Sequence, residues 1–209
     1  MYKHKLRYVV FTDASFKKRN GSSYCGYGAV VVNLETNQYV SFSGELSDRS
    51  IVFGESWAIL KGLQKTLKLI QQSDDISGDV MVVTDSKLCV NILTDYIPKW
   101  DTSDWNDWKT KKGQSVKNQD IYKRIVRLLE NYPDVHFRIT HIHGHQGKSN
   151  EGKIRKDLMK HGITPTDAAV STFRRMNAMA DRLAQAEVDR QIKLETLYGT
   201  VSKLRRNKV

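Results

Sequence analysis

Cysteine and proline are scarce in this 209-residue chain, with two of the first and three of the second. Cys25 and Cys89 stand far apart, which gives neither a disulfide framework nor a metal-ligand spacing. A reducing, intracellular location is the default expectation: cytoplasmic, or nuclear in a eukaryote. No apolar run approaches the roughly 20 residues of a membrane span, so no membrane partner is expected. Met1-Tyr2-Lys3-His4-Lys5 leads straight into a strand-like run, with no hydrophobic region or cleavage site of a signal peptide. No internal repeat or low-complexity segment stands out. Acids are also short: 23 Asp and Glu face 34 Lys and Arg, a net charge of +11. That imbalance favours a polyanionic partner, of which nucleic acid is the commonest. What is present is ordinary for a globular protein, 39% hydrophobic and 27% charged. The length allows one domain with a sizeable core and an insertion.

Residues 6–13, 24–33 and 38–44 read as three strands of an antiparallel meander. Asn20-Gly21 is a hairpin signal inside the polar turn 17–23. Residues 53–70 show helical periodicity, with Trp57, Leu60, Leu63, Leu67 and Ile70 on one face. A strand over 80–85, a short helix over 86–94, a helix over 118–131 and a half-buried strand over 135–142 follow. The stretch 98–113 holds three of the four tryptophans among lysines. Residues 148–169 read as a basic loop or short helix, and about 168–192 as a final helix. The basic end, 202–209, reads as a frayed terminus. This order suggests a mixed sheet with helices on its faces.

Two strands end alike, in Phe11-Thr12-Asp13-Ala14-Ser15 and Val83-Thr84-Asp85-Ser86. A carboxylate near the end of a buried strand is expensive to desolvate unless it is paired or holds a metal. Glu55 lies in the first turns of a helix, and Asp181 shares a helix face with Asn177. Singly, each acid has an ordinary reading as a turn or cap residue, a helix-dipole partner or part of a solvated face. Gathered, they would need cations to coexist near neutral pH, and hard oxygens suit Mg²⁺ or Mn²⁺. His141 and His143 fall on one side of their strand and could suggest zinc, but no further ligand spacing supports it.

In order, these pieces resemble type 1 ribonuclease H. The matching residues are Phe11–Ser15, Gly54-Glu55 with the helix after it, Val83–Ser86, Trp108-Lys109, Val116–Asp120, Gly144-His145-Gln146-Gly147, and Asn177 with Asp181, Leu183 and Ala184. The match spans roughly 8–147 and 170–186. The resemblance implies an α/β ribonuclease H-like fold, a five-stranded mixed sheet flanked by helices. The implied domain covers 1–192, with a basic insertion at about 148–169 and a basic tail at 193–209. It implies hydrolysis of the RNA strand of an RNA–DNA hybrid by a two-metal-ion mechanism, with Mg²⁺ and with Mn²⁺ as substitute. Asp13, Glu55, Asp85 and Asp181 match the metal-binding acids, Asp13 bridging both ions. His145 matches a mobile histidine that assists proton transfer or product release, and an imidazole suits that role. The segment 98–118 resembles the family's basic protrusion, which holds the DNA strand.

Within that protrusion Trp105, Trp108, Lys109, Lys111, Lys112, Lys117 and Asn118 are the candidate nucleic-acid contacts. The tryptophans could equally anchor the loop to its own helix, and Asn118 could equally cap the helix that follows. There are two departures. Ahead of the glutamate the family commonly has polar Asn residues that help read the hybrid, whereas this chain has Ser50-Ile51-Val52-Phe53-Gly54. About 30 residues also separate His145 from Asn177, where the family runs quickly into the last helix. The competing readings are a ribonuclease H-fold nuclease acting on DNA or structured RNA, and an inactive hybrid-binding module. The intact set of four acids argues against the second.

Overall fold

A computed structural model describes residues 6–47, 49–73, 78–100, 102–142 and 151–206. Five strands, β1 (Leu6–Arg19), β2 (Ser22–Asn33), β3 (Tyr39–Ser47), β4 (Gly78–Thr84) and β5 (Val135–His141), form one sheet in the order β3-β2-β1-β4-β5. β1, β2 and β3 pair antiparallel, whereas β4 pairs parallel with both β1 and β5. The mixed sheet read from the sequence is therefore present.

β1 runs six residues beyond the expected Asp13, to Arg19. Asn20 and Gly21 both have positive φ, 51° and 82°, so the turn takes only two residues and its twist matches the strands. The ladder then continues through Lys17–Arg19, outside the apolar core.

Helix α1 (Ile51–Gln71) packs on one face of the sheet with α3 (Gln119–Glu130). Its start is fixed by Ser50, whose hydroxyl accepts from the Phe53 amide at 3.2 Å. Between β4 and α3 the chain makes a short helix α2 (Lys87–Asn91), a π turn (Ile92–Tyr96) and a 3-10 turn (Ile97–Lys99). The opposite face carries α4 (Glu151–Lys160) and α5 (Asp167–Arg206) over Val9, Phe11, Met81 and Val83. The basic insertion thus contains a helix, seated by the buried Ile154 and Leu158.

α5 was expected to stop near Ile192, with a frayed tail beyond, but it continues to Arg206. No proline interrupts residues 193–206, and Lys, Leu, Glu and Arg there favour helix. The extension is tied to the β1–β2 hairpin by Ser22–Glu195 at 3.4 Å, and just before it Lys17 pairs with Asp189 at 2.9 Å. Farther back, α5 lies directly on β2. A Cβ at Gly28 would come within 2.2 Å of the Ala180 carbonyl oxygen. The bare backbone at that position is what lets the helix approach.

Candidate active site

The parallel register of β1 and β4 pairs Thr12 with Thr84. Asp13 and Asp85, each the next residue, are therefore neighbours at the carboxyl end of this strand pair. Side chains alternate along a strand, so Asp13 continues the Val9–Phe11 row toward α5. Glu55 comes in from α1, whose N-terminal turns lie above the same end. Each of Asp13, Glu55 and Asp85 offers a carboxylate oxygen within 4.8 Å of the other two. Asp13 and Glu55 are only 6% and 7% exposed.

Such crowding has an electrostatic signature. Asp13 is pushed up to about 8, by burial first and then by the charges of Asp85 and Asp181. Glu55 is raised well above the usual carboxylate range by burial and by Asp13 and Asp85. Opposing this, the Ala14 amide donates to Asp13 Oδ1 at 2.7 Å and the Thr84 hydroxyl bonds Glu55. Asp181, half-buried on α5, stands outside the group of three but close enough for its charge to raise Asp13. All four expected acids thus converge on one end of the sheet.

The donor set fits a hard divalent cation. It is all carboxylate oxygen, and Glu55 Oε2 is buried without a hydrogen-bond partner among the described residues. A cation would both satisfy that oxygen and relieve the mutual repulsion. His141 is not among the three clustered ligands. Instead its Nε2 donates to the Asp85 carbonyl oxygen at 3.1 Å, a link that sequence spacing does not disclose. His143 and His145 lie outside the described residues, together with Gly144, Gln146 and Gly147.

The protrusion corrects part of the sequence reading. Trp108, a candidate for contact with nucleic acid, is 1% exposed and packs with Ile92, Val116 and Tyr122. It anchors the loop, because a buried indole cannot reach a ligand. Trp105 is 38% exposed and lies under the Arg127 guanidinium, 4.7 Å from the ring centroid. Asp107 organises the loop: Lys109, Ser115 and Gln119 all donate to its carboxylate, and Gln119 in turn accepts from the Trp108 amide at 2.7 Å. These donors hold Asp107 below the usual carboxylate range. Lys109 is consequently engaged within the loop, whereas Lys111, Lys112 and Lys117 are exposed. Asn118 precedes α3 in a left-handed conformation, φ 57°, and its side chain makes no capping bond. The alternative of a side-chain cap is therefore not realised.

A family model for RNase H matches residues 5–163, a span that holds Asp13, Glu55 and Asp85 and stops short of Asp181. A ribonuclease H of Schizosaccharomyces pombe is 31% identical over 156 residues, which are 73% of this chain and 51% of that protein. This chain thus spans about half the length of that relative. A ribonuclease H of Francisella tularensis subsp. novicida is 25% identical over 157 residues, covering 73% of this chain and 89% of that protein. Among solved structures, LC11-RNase H1 in complex with an RNA/DNA hybrid superposes with a TM-score of 0.54 at 15% identity, covering 89% of this chain and 99% of that one. A foamy viral protease–reverse transcriptase in complex with an RNA/DNA hybrid gives 0.59 at 19% identity, covering 88% of this chain and 20% of that one. At such identities the superpositions speak for the fold. The family match covers most of the chain and a span that contains three of the clustered acids: the chain belongs to the ribonuclease H family.

Proposed function

We propose that this chain hydrolyses the RNA strand of RNA–DNA hybrids at the cluster of Asp13, Glu55 and Asp85, with Asp181 beside it. The observation that carries the reading is the cluster itself: three carboxylates within 4.8 Å of one another, a costly arrangement without a cation. Two divalent cations there, Mg²⁺ with Mn²⁺ as substitute, would activate a water and stabilise the leaving oxygen. The chain's own part is to hold the acids together, through the β1–β4 register, the Ala14 amide and the Thr84 hydroxyl. His145, by its place in the sequence motif, assists proton transfer or product release. Lys111, Lys112 and Lys117 meet phosphates of the hybrid from the protrusion, and Trp105 offers a ring face to sugar or base. Two of the structurally similar proteins named above were solved with an RNA/DNA hybrid, which supports the substrate class.

A second reading, the same chemistry with relaxed substrate choice, has its own support. The turn ahead of Glu55 presents Ile51, Val52 and Phe53, and its one hydroxyl, that of Ser50, is occupied in capping α1. The Phe53 ring is covered by the Arg49 guanidinium at 4.5 Å and stacks on Trp57. That turn offers few side-chain groups to a ribose 2′-hydroxyl. End-labelled RNA–DNA hybrid, duplex DNA and duplex RNA of one sequence, each incubated with the enzyme and Mg²⁺, separate the readings. Cutting confined to the RNA of the hybrid is the expected result. Comparable cutting of duplex RNA or DNA would favour relaxed selectivity, and no cutting of any substrate would refute both.

A further inference from the structure

The basic insertion ahead of α5 builds a helix with one basic side. In α4, Ile154 and Leu158 are buried, while Lys153, Lys156 and Lys160 are exposed on the side facing away from them. Their spacing of three and four residues aligns them in a row along about 10 Å of helix. The acids of α4 offset this row only in part. Glu151 is engaged by Arg174 of α5 at 2.8 Å, and Asp157, its side chain 18% exposed, lies 3.9 Å from Lys160 at the end of the row.

The helix is also held in a fixed pose. Arg155 reaches across to the Pro165 carbonyl oxygen and Asp167. Just past the helix, His161 bonds the Thr140 hydroxyl and its carbonyl oxygen accepts from Arg138, so β5 grips the far end. The near end is set by Arg174, seven residues and about two turns before Asp181 on α5. The row of lysines is therefore held on the α5 face of the sheet beside β5, with both ends of its helix anchored to elements that also carry residues of the site.

We infer that α4 is a second phosphate-binding track, and that Lys153, Lys156 and Lys160 contact backbone phosphates of the nucleic acid at a distance from the cleaved bond. This rests on the functional reading above, that the ligand is an RNA–DNA hybrid. The track acts through charge on a rigid support, so it reads no sequence and adds affinity that salt screens. It lies on the opposite face of the sheet from α1 and α3, which flank the protrusion. The two basic features therefore grip the duplex on either side of the acids.

The test measures binding of the full chain to a labelled hybrid in EDTA over a range of salt concentrations. The wild type is compared with K153Q/K156Q/K160Q and with a charge-matched control, K65Q/K68Q/K193Q. Each lost phosphate contact lowers the slope of log affinity against log salt by about 0.7–0.9. The α4 triple variant is expected to lose about 2 from that slope, to raise KM for cleavage of a long hybrid in Mg²⁺, and to keep kcat. The control variant is expected to retain most of the wild-type slope. A slope and KM for the α4 variant no different from those of the control would overturn the inference. A wild type that fails to bind hybrid at any salt would overturn the functional reading instead.

Discussion

Replacing Asp13 with Asn is expected to stabilise the protein in the absence of metal while abolishing its activity. Asp13 has an ordinary value of 3.8 and sits at about 8 in the fold, so between those values the folded state holds a proton that the unfolded state has released. Stability contributed by this group is therefore greatest below its unfolded pKa and is lost as pH rises through that window. At pH 7.5 the gap from 3.8 is nearly four pH units, which at 1.36 kcal/mol each sets an upper bound of about 5 kcal/mol. Part of that cost is shared with Glu55 and Asp85, which would still repel each other in the variant, so a gain of about 2 kcal/mol is expected. Asn keeps the carbonyl oxygen that accepts from the Ala14 amide, so the turn geometry has no reason to change. Urea unfolding in EDTA at pH 7.5 and at pH 4, for wild type and D13N, measures the effect. The gain should be clear at the higher pH and nearly absent at the lower one. Mg²⁺ should stabilise the wild type by mass action and the variant less. A D13N protein that is no more stable than wild type at pH 7.5 would refute the claim that these acids are held together at a cost.

Three further outcomes follow from packing. Gly28→Ala puts a methyl group against the Ala180 carbonyl oxygen, so α5 must move. A loss of about 1–3 kcal/mol in unfolding free energy is expected, with a fall in kcat because Asp181 moves too; an unchanged melting temperature would contradict the contact. Trp108→Ala empties the centre of the protrusion cluster and should cost about 3–5 kcal/mol locally. It should raise KM for hybrid far more than it lowers kcat, and equal effects on both would argue against an anchoring role. Asp107→Ala releases Lys109, Ser115 and Gln119 together and should likewise raise KM; an unaltered KM would show that the loop keeps its shape without this carboxylate.

Much of the architecture was legible because strands and amphipathic helices write their periodicity into the chain. The twin Thr-Asp pairs that follow the apolar runs of β1 and β4 pointed to the site, yet their adjacency depends on a parallel register, Thr12 opposite Thr84, which no local pattern encodes. Trp108 shows the opposite limit. It sits in a lysine-rich, irregular stretch, and only the contacts of Ile92, Val116 and Tyr122, two of them from other segments, reveal that it is core. The extension of α5 past Ile192 was hidden by the basic composition of the tail, which reads the same for a frayed end and for a helix. The bond from His141 to the Asp85 carbonyl oxygen joins two strand ends that are distant in sequence, so nothing around either residue announces it. Glu55 and Asp181 were found through motif order, and the crowding that raises Asp13 became apparent only when α1 and α5 were seated on the sheet.

The central claim is that the clustered carboxylates hold the cations that cut the RNA strand. Cleavage of an end-labelled RNA–DNA hybrid, titrated with Mg²⁺ for wild type and Asp85→Asn side by side, tests it most directly. The wild type should cut only when Mg²⁺ is supplied, and the variant should remain folded, bind the hybrid and fail to cut it. Undiminished cutting by Asp85→Asn, or cutting by the wild type in EDTA, would contradict it.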